Sequence, residues 1–154
     1  MVLDNSVLSA FIRLDHLHLI KELFNDVIIP EGVHEEHVKG WGKKALPNWI
    51  SVENLGEEEI QNAKSLNLGV GEAQAIILAL RHGCPLGLDD ENARETAKKK
   101  GATIIGSIGI LRLAYESCLI ETKDQLKNLL GKLAEDLYIE NWLLEWALES
   151  KKGN

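Results

Sequence analysis

Three observations predict an α/β fold with a central parallel sheet. First, the strand-like runs are short and almost wholly apolar: Val27-Ile28-Ile29, Leu86-Gly87-Leu88 and Thr103-Ile104-Ile105. Strands covered on both faces of a parallel sheet read this way, whereas one-sided strands alternate. Second, these runs alternate with stretches whose apolar residues recur at helical spacing, the pattern of βαβ units with right-handed crossovers. Third, acids follow the runs: Asp4 comes directly after Met1–Leu3, and Asp89-Asp90 directly after Leu88. Ligands of such sheets bind beyond the carboxyl ends of the strands.

The elements follow in order. Met1–Leu3 is an apolar start, too short to stand alone as a strand. From Ser6 to Phe24 the spacing of Val7, Leu8, Phe11, Ile12, Leu17, Ile20, Leu23 and Phe24 predicts helix. Val27–Ile29 is β-branched and stops at Pro30, so it reads as a buried strand. Glu31–Lys39 is a helix with Pro30 before its first turn, ended by Gly40 and Gly42. Trp49–Val52 reads as a further short strand and Glu57–Leu66 as an acidic amphipathic helix. Gly69-Val70-Gly71 breaks the chain, and Glu72–His82 restarts it as a helix. After Leu86–Leu88, Asp89-Asp90 cap a helix to about Lys100, which Gly101 closes. Thr103–Ile105 is the last strand, and Ser107–Cys118 a helix with Ser107 as its N-cap. The remainder is helical, with one stripe of Leu126, Leu129, Leu130 and Leu133 and another of Ile139, Trp142, Leu143 and Trp146.

Composition bounds the function. The chain has 154 residues, which suits one domain, and is 45% hydrophobic and 27% charged, so it is neither disordered nor fibrous. Its apolar runs fall far short of the roughly 20 residues that span a bilayer. Asp4 stands where a signal peptide needs positive charge, so a cytoplasmic protein is expected, with no membrane partner. Cys84 and Cys118 make no CxxC site and read as ordinary thiols. Acids outnumber bases 24 to 17, for a net charge of −7. A protein of this charge that handles nucleic acid needs local basic patches and a metal ion to offset its carboxylates.

The parallel topology sends Asp4, Asp89 and Asp90 to one sheet edge. Glu72 opens a helix after the glycine break, and Glu36 lies in a helix begun at the end of Val27–Ile29. Each acid alone has a structural reading: Asp4 and one of Asp89 and Asp90 as N-caps, Glu72 as a helix-dipole partner, Glu36 as part of a solvated face. Gathered in one cleft they repel, so some stay protonated or a cation neutralises them. Oxygen donors suit Mg²⁺ and Mn²⁺, and such ions serve phosphodiester hydrolysis.

The segments Val2-Leu3-Asp4-Asn5-Ser6-Val7-Leu8, Ile29-Pro30-Glu31-Gly32-Val33-His34-Glu35-Glu36, Gly69-Val70-Gly71-Glu72-Ala73, Leu88-Asp89-Asp90-Glu91-Asn92-Ala93-Arg94 and Ile105-Gly106-Ser107-Ile108-Gly109-Ile110-Leu111 occur in that order. Together they resemble PIN-domain proteins, in particular the small stand-alone archaeal and bacterial branch with GxGEA and DDxxAR patterns. The resemblance covers about residues 1–120, with 121–154 a C-terminal helical extension of a single domain spanning 1–154. It implies a three-layer α/β/α fold with a central parallel sheet and extra C-terminal helices. It implies a Mg²⁺- or Mn²⁺-dependent endoribonuclease. Asp4, Glu36, Glu72 and Asp90 match the acidic positions, with Asp89 as a substitute metal ligand for Asp90 and with Ser6 and Ser107 in support. Asn5 stands where threonine is commoner. The resemblance also favours a homodimer, and an antitoxin partner is the toxin variant of the same expectation.

Basic residues cluster around Gly40-Trp41-Gly42, as Lys39, Lys43 and Lys44, and on the helix after Asp90, as Arg94, Lys98, Lys99 and Lys100. Either cluster suits phosphates, and Trp41 suits stacking on an unpaired base of single-stranded or looped RNA. The structural alternatives are solvated lysines at helix ends and a tryptophan folded back onto the core. His34 and His37 read as surface or substrate-facing, since their i, i+3 spacing is not that of HExxH. Two function classes follow: a metal-dependent ribonuclease, and a non-catalytic RNA- or protein-binding module on the same fold. An aspartyl phosphatase is disfavoured because Asp4-Asn5-Ser6 is not DxD.

Overall fold

The computed structural model describes residues 1–42 and 46–153. Among these, five strands form one all-parallel sheet: β1 (Val2–Leu3), β2 (Val27–Pro30), β3 (Ile50–Glu53), β4 (Leu86–Gly87) and β5 (Ile104–Ile105), in the order β3-β2-β1-β4-β5. The helices are α1 (Asn5–Arg13), α2 (His18–Phe24), α3 (Glu31–Trp41), α4 (Glu57–Lys64), α5 (Val70–His82), α6 (Glu91–Lys99), α7 (Ser107–Glu116), α8 (Lys123–Asp136) and α9 (Asn141–Leu148). They flank the sheet as a three-layer α/β/α fold. The chain winds outward from β1 through β2 to β3, then returns to the other side for β4 and β5. The topological switch point therefore lies between β1 and β4, where open α/β sheets form their ligand crevice. Leu3 pairs with Gly87 there, and the Asp4 N–H donates to the Gly87 carbonyl at 2.9 Å. A Cβ on Gly87 would come within 2.8 Å of Leu3 Cδ2, so glycine lets the central strands pack around Leu3.

The core explains the apolar runs. Val2, Leu3, Ile29, Leu86 and Leu88 are fully buried between Val7, Leu8 and Phe11 of α1, Ile76 and Leu78 of α5, and Ile110 and Leu111 of α7. The strands themselves are shorter than the runs. Leu88 lies past β4, yet it is buried and its N–H still reaches the Ile105 carbonyl at 3.1 Å.

Several local expectations need correction. The Ser6–Phe24 periodicity spans two helices, because the chain turns at Asp15, whose φ is +56°. A short polar side chain tolerates that left-handed geometry. Helix α3 continues through Gly40 to Trp41, and Gly42, with φ +72°, ends it. Gly71 lies inside the first turn of α5, whose N-cap is Gly69, so the glycines start the helix instead of breaking the chain. Helix α4 stops at Lys64, short of Leu66. Gly106, not Ser107, is the N-cap of α7. Asp90 caps α6 and Gly101, with φ +86°, follows it, as read from the sequence.

The α8 stripe of Leu126, Leu129, Leu130 and Leu133 is buried as expected. The α9 stripe is largely exposed. Ala147 is its buried residue, with Leu143, Leu144 and Leu148 half-buried, while Trp142 and Trp146 are 61% and 40% exposed. Arg112 of α7 meets Trp146: its guanidinium stacks 4.1 Å from the ring centre and donates to the Trp146 carbonyl. Among the described residues no helix is long and apolar enough to cross a membrane.

Candidate active site

Asp4 leaves β1 at the switch point and is 2% exposed. It is the N-cap of α1: Oδ2 accepts from the Ser6 N–H at 3.3 Å and from the Ser6 hydroxyl at 2.7 Å. The cap reading and the site reading thus coexist. One oxygen holds the helix, and the other, Oδ1, is buried with no hydrogen-bond partner among the described residues. A buried carboxylate oxygen left bare is costly unless something else binds it.

Glu36 and Glu72 are seated by the two glycines of Gly69-Val70-Gly71. The Gly71 N–H donates to Glu36 Oε1 at 3.0 Å, across from α5 to α3. The Gly69 N–H lies close enough to the Glu72 carboxylate to favour its charged form. A Cβ on Gly71 would sit 2.3 Å from Glu36 Oε1, so a side chain there would displace that carboxylate. The reverse bond runs from the Gly32 N–H of α3 to Gln74 Oε1 of α5 at 2.8 Å. Helices α3 and α5 therefore hold each other through backbone donors made accessible by glycine, and they carry one acid each. The sequence pattern GxG marked the place but not this reciprocity.

Asp89 and Asp90 divide their work. Asp90 Oδ1 caps α6 through the Ala93 N–H at 2.8 Å. Asp89 accepts the Ser107 N–H at 2.8 Å on Oδ1 and the Ser107 hydroxyl at 2.5 Å on Oδ2. Arg94 is half-buried and donates from Nη1 to the Leu88 carbonyl at 2.8 Å. The DDxxAR pattern is thus a local frame: clasp, cap, buried Ala93, and an arginine returned to the strand.

Electrostatics shows that these acids share one region. Burial raises the Asp4 carboxyl above its ordinary value; the Ser6 bonds oppose this and the Asp89 charge adds to it. Burial also raises Glu36, reinforced by Asp4 and opposed by the Gly71 N–H and by Lys39. Glu72 is raised by burial and then by the charges of Asp4, Asp90 and Glu36. Like charges from four separate segments therefore feel one another in one cleft.

The donor set fits a hard divalent cation: all the donors are carboxylate oxygens, and one is buried and bare. The side chains do not stand in a coordinating arrangement. Among the described residues no three His, Cys, Asp or Glu are close enough together to hold a metal ion. Asp4, Glu36 and Asp90 are each turned to a nearby N–H or O–H.

The flanking residues separate by position. Lys39 stands one turn beyond Glu36 on α3, and its charge acts on that carboxylate. Lys98 lies eight residues beyond Asp90, about 12 Å along α6 toward the opposite sheet edge. Trp41 donates from Nε1 to the Ser9 hydroxyl at 3.2 Å and lines an apolar cavity of about 280 Å³ with Phe11, Leu17 and His37. It is folded back onto the core. Ser9 in turn donates to Asn5 Oδ1 at 3.5 Å, so a hydrogen-bonded path joins the end of α3 to the residue beside Asp4. Sequence reading missed this path, because Ser9 carries no motif. Lys43 and Lys44 lie outside the described residues. His37, expected at the surface, is buried at 3% exposure because it faces α1 and that cavity.

The protein is thus an α/β/α protein with an all-parallel sheet and acids near its switch point. A family model described as DUF3368: PIN domain matches residues 1–152, and the chain belongs to that PIN-domain family. The match extends through α8 and α9, beyond the motif-bearing first 120 or so residues. No curated protein matches the chain.

Proposed function

We propose that the protein is a metal-dependent endoribonuclease that hydrolyses single-stranded or looped RNA. The observation that carries this reading is Asp4: a buried carboxylate with one bare oxygen, at the switch point, within electrostatic reach of Glu36, Glu72 and Asp89. Asp4, Glu72 and Asp90 would hold Mg²⁺ or Mn²⁺, with Glu36 ligating a second ion or a bound water. Such an ion supplies charge neutralisation at the phosphodiester and Lewis acidity toward its oxygens. Ser6 fixes the Asp4 rotamer through two bonds to Oδ2, which leaves Oδ1 as the free donor. The Gly69 and Gly71 N–H groups orient Glu72 and Glu36 in the same way. Lys39, whose charge acts on Glu36, offers a positive charge for a substrate phosphate. Attack of water at phosphorus leaves 3′-hydroxyl and 5′-phosphate ends. An antitoxin protein and a second copy of the chain are the partners this reading expects, and the exposed Trp142 and Trp146 of α9 suit an interface core.

The test is Asp4→Asn in an RNA cleavage assay with Mn²⁺. Cleavage should fall by about a hundredfold or more while the fold persists, because amide for carboxylate keeps the Ser6 cap and removes the charge. Cleavage equal to that of the unsubstituted chain rejects the site. The second reading, a non-catalytic binding module, is favoured by the separated carboxylates. It is distinguished by calorimetry: RNA binding without Mn²⁺ uptake supports it.

A further inference from the structure

We propose that Asp89 and Ser107 form a positioning clasp that sets Asp90 in the cleft, and that Asp89 is not itself a ligand; this rests on the nuclease reading above. Ser107 is 0% exposed and gives both its donors to Asp89, one to each oxygen. The pair joins the exit of β4 to the first residue of α7, beyond β5. The backbone around it leaves no slack. A Cβ on Gly106 would stand 2.9 Å from Asp89 Oδ1 and 3.1 Å from Arg94 Nη1. Arg94 holds the Leu88 carbonyl, and the Leu88 N–H holds Ile105. The segment Leu88-Asp89-Asp90 is thus fixed from β5, from α6 and from α7 at once.

Its two acids end in opposite situations. Both Asp89 oxygens accept bonds from one buried residue. Asp90 is exposed and spends only Oδ1, on the Ala93 N–H, leaving Oδ2 for the cleft, where its charge acts on Glu72. Asp89 has both oxygens engaged and neither left over for a cation, whereas Asp90, next to it on the same fixed backbone, has one. Groups that orient ligands in this way control affinity without touching the ion.

The experiment measures Mn²⁺ affinity by calorimetry and thermal stability on the full chain and on Asp89→Asn, Asp90→Asn, Ser107→Ala and Ser107→Thr. Asparagine at 89 keeps the clasp, since its carbonyl accepts the Ser107 N–H and its amide faces the hydroxyl. Asp89→Asn is therefore expected to change Mn²⁺ affinity less than about threefold, whereas Asp90→Asn abolishes measurable binding. Ser107→Ala is expected to weaken Mn²⁺ about tenfold at temperatures where it remains folded, and Ser107→Thr to restore it. The proposal is overturned if Asp89→Asn loses Mn²⁺ as completely as Asp90→Asn, or if a folded Ser107→Ala binds Mn²⁺ unchanged. Should Ser107→Ala fail to fold, the contrast between Asp89→Asn and Asp90→Asn decides alone. If the unsubstituted chain takes up no Mn²⁺, the nuclease reading falls and the clasp's role falls with it; Mn²⁺ uptake with the wrong variant pattern removes the clasp alone.

Discussion

Replacing Gly71 by alanine should separate stability from function. Gly71 lies in the first turn of α5, where alanine is the better helix former by about 1 kcal/mol. Against this, a Cβ there would stand 2.3 Å from Glu36 Oε1 and 2.8 Å from its Cδ. Both atoms belong to the far end of a flexible side chain, so Glu36 can swing away without moving backbone. The swing breaks the 3.0 Å bond from the Gly71 N–H, a bond to a charged acceptor worth about 1.5–3 kcal/mol when buried. Glu36 is half-buried, so water recovers part of that loss. The two effects nearly offset, and the net change in unfolding free energy should stay within about 1 kcal/mol of zero. Function should not be spared, because the carboxylate no longer points where the helix pair placed it. The assay pairs urea unfolding with Mn²⁺-stimulated RNA cleavage for Gly71→Ala, Glu36→Gln and the double variant. Cleavage should fall in Gly71→Ala about as far as in Glu36→Gln, and the double variant should be no worse than either, as expected for two changes that disable one group. Gly71→Ala that cleaves normally while Glu36→Gln does not would refute the reasoning. So would a stability loss above about 3 kcal/mol, which would mean that backbone moved instead of the side chain.

Other outcomes follow from the same geometry. Asp4, Glu36 and Glu72 hold their protons above their ordinary values of 3.8, 4.5 and 4.5, so between the ordinary and raised values the folded state binds more protons than the unfolded one. Their joint contribution to stability is present below that window, falls as pH rises through it, and does not return at neutral pH. Metal-free Glu72→Gln should therefore melt higher than the unsubstituted chain near about pH 7, and the advantage should vanish below about pH 4; a pH-independent difference in thermal melts contradicts this. Arg94→Met should cost about 1–3 kcal/mol in urea unfolding, because it strands the Leu88 carbonyl, with Arg94→Lys recovering only part. Trp142→Ala should shift stability by less than about 0.5 kcal/mol, as its ring faces solvent, while lowering the mass seen in sedimentation if α9 joins two copies. A stability loss of several kcal/mol would show that the ring packs inward.

What the sequence made legible was whatever depends on neighbours along the chain. The apolar strand runs, the Pro30 boundary, the Asp90 cap and the left-handed Gly101 are set by propensities within a few residues, and the structure keeps them. Asp4 and Asp90 were placed at one edge by topology alone, since parallel strands must end together. What stayed hidden depends on partners remote in sequence. Nothing local says that the Gly71 N–H serves Glu36, 35 residues away, or that Ser107 closes on Asp89, 18 residues away. The α9 stripe shows the same limit: spacing alone left Trp142 and Trp146 open to cover the sheet or to form an interface, and in the structure Ala147 is the buried residue while the Arg112 guanidinium of α7 stacks on the Trp146 ring. The site is built by both kinds of information. Short-range contacts seat Asp4, Asp90 and, beside its own N-cap Gly69, Glu72, while the long-range Gly71 bond brings Glu36 to them. Both kinds of bond use up carboxylate oxygens, and Asp4 Oδ1 is the buried one left over. An acid this deep, capped on one side and bare on the other, costs the fold free energy that no local helix requirement explains, because Oδ2 alone satisfies the cap. In the proposed reading, that surplus is what a bound cation would relieve.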